Sequence, residues 1–96
     1  MYDFSVIKTR YYEVKLRSGK FLHVEPPKLK TLRKVENSGK SVDDLAASIA
    51  LLISKNREHF KVSAADVLET MDIDQCTDFL ENFLDWVNGE KASDPN

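Results

Sequence analysis

Residues 41–53, SVDDLAASIALLI, carry the clearest helical signature in the chain. Ser41 with Asp44 three positions on resembles a capping box, with Asp in the usual Glu position, so a helix is expected to open at Val42 and run to about Asn56. Val42, Leu45, Ala46, Ile49, Leu52 and Ile53 fall on one side at helical period. Leu51 lands opposite them. From Ala46 to Ile53 only Ser48 is polar, and a helix apolar nearly all round is expected to be covered on more than one side. Either a second subunit or a partner helix lies over Ala47 and Leu51, or Leu51 is one of the isolated exposed leucines common on protein surfaces.

Toward the C-terminus, Ser63 with Asp66 repeats the capping pattern and opens a short helix using Val67, Leu68 and Met71. Asp72-Ile73-Asp74 ends it and caps a final helix, in which Cys76, Phe79, Leu80, Phe83, Leu84, Trp86 and Val87 form a broad apolar face. Gly89 is a natural stop. Residues 90–96 are expected to be a disordered tail. Toward the N-terminus the period changes from helical to alternating. Tyr2, Phe4 and Val6, then Tyr12, Val14 and Leu16, then Leu22 and Val24 read as two or three short strands, with Ser18-Gly19 as a hairpin turn. Pro26-Pro27 ends this β-like region, residues 1–25, and Pro27 suits the first turn of a helix built on Leu29, Leu32 and Val35. The expected fold is α+β and mainly α. A short N-terminal β-hairpin, or three strands, precedes about four helices, all in a single domain over residues 1–89.

Charge is sorted along this chain. Residues 1–42 carry ten Lys/Arg against four Asp/Glu, a net of +6, while residues 43–96 carry four against twelve, a net of −8. Such polarity concerns how molecules approach each other, and it points to a binding or self-assembling protein sooner than to an enzyme. The positive end centres on Lys28, Lys30, Arg33 and Lys34 around the short helix; the negative end is a stripe of Asp74, Asp78, Glu81 and Asp85 on the last helix, opposite its apolar face. That stripe is either a solubilising face or a docking strip for a basic surface. Trp86, at the margin of the apolar face, is a core residue or a partner anchor.

With 96 residues the chain is short for a deep active-site cavity. The 42% hydrophobic content is that of a globular protein, and the single Cys76 fits a reducing compartment. Neither a membrane span nor a signal peptide is legible, since Asp3, Lys8 and Arg10 interrupt the start. Ser38-Gly39-Lys40-Ser41 imitates a phosphate-binding loop, but Lys34 stands where the first Gly is required. A calcium loop from Asp72 would have Thr77 in place of its Gly and Phe83 in place of its Glu. His23 and His59 lack partners at zinc-ligand spacing and read as surface histidines. No catalytic residue, cofactor or metal is expected. Nucleic acid is not an expected partner either, because the helices that would face phosphate are acidic.

The order of these features resembles the tail assembly chaperones of long-tailed phages and prophages of Gram-positive bacteria. The residues carrying the likeness are Lys15-Leu16-Arg17-Ser18-Gly19-Lys20, then Val24-Glu25-Pro26-Pro27-Lys28-Leu29-Lys30-Thr31-Leu32, then Leu52-Ile53-Ser54-Lys55-Asn56, followed by the Ser63-initiated helix and the acidic aromatic last helix. The resemblance spans roughly residues 13–89 and rests on order, not on a signature residue. It implies a non-enzymatic protein, made in the bacterial cytoplasm and absent from the mature virion. Such a protein binds the tape measure protein, keeps it from aggregating and leaves as tail tube protein polymerises. It also implies the tail tube protein as a further candidate partner and, in many members, a longer frameshifted product, for which Gly89-Glu90-Lys91 is a candidate slippage point. The charge polarity itself permits head-to-tail contacts between copies, the basic helix around Lys28 to Lys34 with Leu29 and Leu32 approaching the Asp74 to Asp85 stripe of another copy and Leu51 adding apolar area, so a homo-oligomer is expected. The competing expectation is a small phage-encoded adaptor that binds a host protein through the acidic helix.

Overall fold

The computed structural model describes residues 1–6 and 10–89. Strands β1 (Tyr12–Lys15) and β2 (Phe21–Val24) form an antiparallel hairpin, followed by helices α1 (Leu29–Glu36), α2 (Val42–Ile53), α3 (Ala64–Thr70) and α4 (Ile73–Val87). The expected α+β, mainly α architecture is therefore the observed one.

The register pairs Tyr12 with Val24 and Val14 with Leu22, so the apolar residues of both strands share the face turned to the helices. Leu22 and Val24 are fully buried. The turn closes with the Leu16 N–H donating to the Lys20 carbonyl at 2.8 Å, and Gly19 takes φ +96°, a conformation that a side chain would strain.

Helix α2 occupies the centre. It packs chiefly against α3, less against α4, and least against α1. Its Ile49, Leu52 and Ile53 meet Leu22, Val24, Val62, Val67, Cys76 and Phe83 in one core. Ser41 accepts from the Asp44 N–H without the reciprocal bond, so it is a simple cap. Ser63 with Asp66 and Asp72 with Gln75 complete both bonds of the capping box at α3 and α4.

Several expectations are corrected. Of the two or three expected strands two are formed, and residues 1–6 are not one of them: the Val6 N–H turns back to the Asp3 carbonyl, and the Ser5 N–H and hydroxyl donate to the Asp3 carboxylate, in a local turn. Pro27 lies outside α1, whose N-cap is the extended Lys28. Helix α2 stops at Ile53, three residues short of the expected end. Asn56 is instead buried and paired with Val24, while the Glu25 N–H donates to the Lys55 carbonyl and the Arg57 N–H to the His23 carbonyl. The segment after α2 thus covers the second edge of β2, and an extended pairing displaces the last helical turn. Leu29, Val42 and Leu68, read as apolar-face residues, are exposed. The expected tail, residues 90–96, lies outside the described residues, as does most of the proposed slippage point.

Candidate functional site

The basic half of the chain does two kinds of work. Part of it serves the fold. Neither α3 nor α4 has a basic residue in its last turn, and each receives an arginine from the N-terminal region instead. Arg10 donates through Nη1 to the Trp86 carbonyl at 2.7 Å and through Nη2 to the Val87 carbonyl at 2.8 Å, with its guanidinium carbon 4.2 Å from the Trp86 ring centre. Arg17 donates to the Thr70 carbonyl at 3.1 Å. Unsatisfied carbonyls and the negative end of the helix dipole make a helix C-terminus a favourable place for a cation.

The other part stands free on α1. Lys30, Arg33 and Lys34 are exposed, Lys28 at the N-cap makes no side-chain capping bond, and Leu29 is 83% exposed among them. Leu32 is half-buried and α1 buries no residue fully. Among the described residues, none of these four cations has an ion-pair partner.

The acidic counterpart is α4. Asp74, Asp78 and Glu81 are exposed and, among the described residues, likewise without ion pairs, whereas Asp85 is half-covered. The expected stripe is thus three fully accessible carboxylates with a fourth at its margin. Asp78 adds its charge to partial burial in holding the Tyr12 hydroxyl above its ordinary pKa. Trp86 is half-buried in an aromatic cluster with Tyr12 and Phe83, at ring distances of 5.3 and 5.5 Å, beneath Arg10. Its contacts tie the segment before β1 to the end of α4. Ala47 and Leu51 are exposed on the outer side of α2, with Leu51 39% accessible. Cys76 is buried, and burial, with Asp72 nearby, pushes its thiol pKa up.

One polar constellation was not expected. His23, on β2, is half-buried instead of lying on the surface: its Nδ1 stands 2.5 Å from Glu58 Oε2 and 3.1 Å from Arg57 Nη2, and its Nε2 lies 3.7 Å from Glu13. Glu58 also accepts the His23 backbone N–H at 2.8 Å. These two bonds, the backbone one first, lower its pKa from 4.5 to about 2. Glu13 faces His23 across the hairpin, so that pair follows from strand register; Glu58 arrives only through the pairing of the segment after α2. The cluster fastens β2 to that segment. Among the described residues no group of His, Cys, Asp and Glu is arranged to hold a metal ion.

A groove of about 930 Å³ opens between the hairpin turn and the α3–α4 junction, lined by Leu16, Phe60, Val62, Met71 and Phe79, with Lys15 and Arg17 on one side and Asp66, Glu69 and Asp72 on the other. No helix among the described residues is long and apolar enough to cross a membrane. Comparison of the chain with protein-family models, with curated proteins and with solved structures returned no match.

Proposed function

We propose that the protein is a phage tail assembly chaperone that binds the tape measure protein and keeps it from aggregating until tail tube protein polymerises. It acts in the bacterial cytoplasm, without enzymatic activity, and is absent from the finished virion. The order of the hairpin, the basic α1, the apolar α2 and the acidic aromatic α4 supports the role. The observation that carries the reading is the division of unpaired charge. The cations of α1 and the carboxylates of Asp74, Asp78 and Glu81 have no ion-pair partners among the described residues, while the ion pairs cluster around β2 and the segment after α2. Opposite charges presented on separate helices of one small molecule give each a surface for steering a partner or a second copy. Ala47 and Leu51 on α2, with Leu29 on α1, supply apolar area.

Co-expression of a tagged chain with the tape measure protein tests the proposal. The expected outcome is co-purification and a rise in soluble tape measure protein, reduced at least severalfold by Asp74→Lys/Asp78→Lys and weakened by salt. A soluble fraction of tape measure protein that is the same with and without the chain overturns it. The adaptor reading draws on the same exposed carboxylates. It is favoured if the Asp74→Lys/Asp78→Lys variant loses a host protein from the purified complex while tape measure solubility is unaffected.

A further inference from the structure

The two edges of the hairpin are treated differently. The Leu16 N–H donates to the Lys20 carbonyl, and bonded and non-bonded pairs alternate in an antiparallel ladder. Tyr12, Val14 and Leu16 therefore bond toward β2, while the N–H and C=O groups of Glu13 and Lys15 point out from the far edge of β1. On β2 the equivalent outward groups of His23 are taken, its N–H by Glu58 and its carbonyl by the Arg57 N–H. Among the described residues no strand or bridge pairs with the far edge of β1. Burial follows the same division. Leu22 and Val24 are fully buried, whereas Tyr12, Val14 and Leu16, packed against the same core, are only half-buried. An open edge of this kind is a template for another strand. Its own chain is a poor source of one: residues 1–6 form their own turn, Arg10 and Tyr11 enter β1 with neither turn nor bend, and residues 90–96 contain Pro95 and no β-branched or aromatic side chain.

We propose that β1 pairs antiparallel with β1 of a second copy, joining the two hairpins into one four-stranded sheet about a two-fold axis at Val14. In that register the strand is self-complementary. Glu13 opposes the second copy's Lys15, and Lys15 its Glu13, so the outward backbone groups meet in two hydrogen-bonded pairs, each with opposite charges on the outer face. Both side chains are accessible: Glu13 lies 3.7 Å from His23 yet is 65% exposed, and Lys15 is exposed near the Phe21 ring. Charges of one sign at these two positions would guard the edge against a second copy, but here the signs are opposite. On the inner face Val14 meets Val14 across the axis and Tyr12 meets Leu16, which covers the three half-buried side chains. The carboxylate of Asp78, which acts on the Tyr12 hydroxyl, belongs to α4 on that inner face, below the plane in which the strands join. The contact uses neither α1 nor the acidic stripe, so it is independent of the chaperone reading.

Sedimentation over a concentration series at about 0.15 M salt tests it. The wild type is expected to dimerise. Glu13→Lys and Lys15→Glu each place like charges in both cross-strand pairs, and each is expected to raise the dissociation constant at least tenfold with an unchanged circular dichroism spectrum. Mixed in equal amounts they form a heterodimer, because both pairs are then opposite, and the double variant Glu13→Lys/Lys15→Glu dimerises again by itself. The register has its own readout. Residues opposed on the axis have Cα atoms about 4.5 Å apart, within disulfide range. Val14→Cys is therefore expected to cross-link to itself under a mild oxidant at least tenfold faster than Phe21→Cys, at an exposed position on β2. Should either charge variant fail to fold, this cross-link reads the same contact. A wild type that stays monomeric to about 1 mM overturns the proposal. So does association that neither charge reversal weakens, a pair of folded charge variants whose mixture stays apart, or equal cross-linking at positions 14 and 21. A dimer lost in Asp74→Lys/Asp78→Lys but kept in Glu13→Lys also overturns it, by assigning self-association to the charged helices.

Discussion

Helices α1 and α2 are neighbours in sequence and are held by different forces. Of the twelve residues of α2, six are buried, its Ser41 cap accepts a backbone N–H, and Asp43 and Asp44 stand in its first turn, where the helix dipole favours negative charge. Helix α1 has eight residues, none of them buried, no side-chain cap, no acid in its first turn, and Lys28 and Lys30 at the end where the dipole disfavours cations. Only Arg33 and Lys34, in its last turn, are placed to its electrostatic advantage. So short a helix is marginal in water without tertiary contacts. Helix α2 makes the core, whereas α1 is kept by the half-buried Leu32 and Val35 and presents its charge and Leu29 outward.

The largest way to break this contrast is a pair of truncations. Ile49→Ala, at a fully buried position, is expected to cost about 2–5 kcal/mol in urea unfolding, and Leu29→Ala on α1 less than about 0.5 kcal/mol. Comparable losses at both would mean that α1 is part of the core. Next comes Asn56, whose side chain donates to the Ile53 and Phe60 carbonyls and accepts the Phe60 N–H. Asn56→Ala leaves those groups unpaired at a buried site and is expected to cost about 1–3 kcal/mol, read in the same titration.

A cap removed from one helix and installed on the other sharpens the comparison at smaller scale. Ser41→Ala is expected to lower global stability by about 1 kcal/mol. Lys28→Asp is expected to stabilise α1 by about 0.5–1 kcal/mol, visible as slower amide exchange in that helix alone. The smallest effect expected is from acid. Because the Glu58 pKa is lower in the folded chain than its ordinary 4.5, the stability it contributes is present above pH 4.5 and lost as pH falls toward about 2. Urea midpoints measured across that window are expected to fall less steeply for Glu58→Gln than for the wild type. Amide exchange in α1, which Glu58 does not touch, should not share that difference.

Much of the architecture was legible because its signals are local. The caps at Ser41, Ser63 and Asp72, the turn at Gly19 and the apolar period of α2 and α4 each depend on residues a few positions apart. The accessible part of the acidic stripe was legible for the same reason, since Asp74, Asp78 and Glu81 sit at helical spacing. Where reading failed, a local pattern lost to a distant partner. Residues 12–16 and residues 2–6 alternate in the same way, but only the former meet a second strand.

The amino-acid sequence by itself determined the order and kind of the elements, the separation of positive from negative charge, and the burial of Cys76 and Phe83, since these follow from propensity, period and composition. The tertiary structure alone decided which charges remain available. Arg10 and Arg17 look equivalent to the lysines of α1 in sequence, yet they are engaged by the carbonyls that end α4 and α3. It also decided that Lys55–Arg57 would cover β2, bringing Glu58 to His23. Both outcomes depend on pairing between segments more than thirty residues apart in the chain, which no local period encodes.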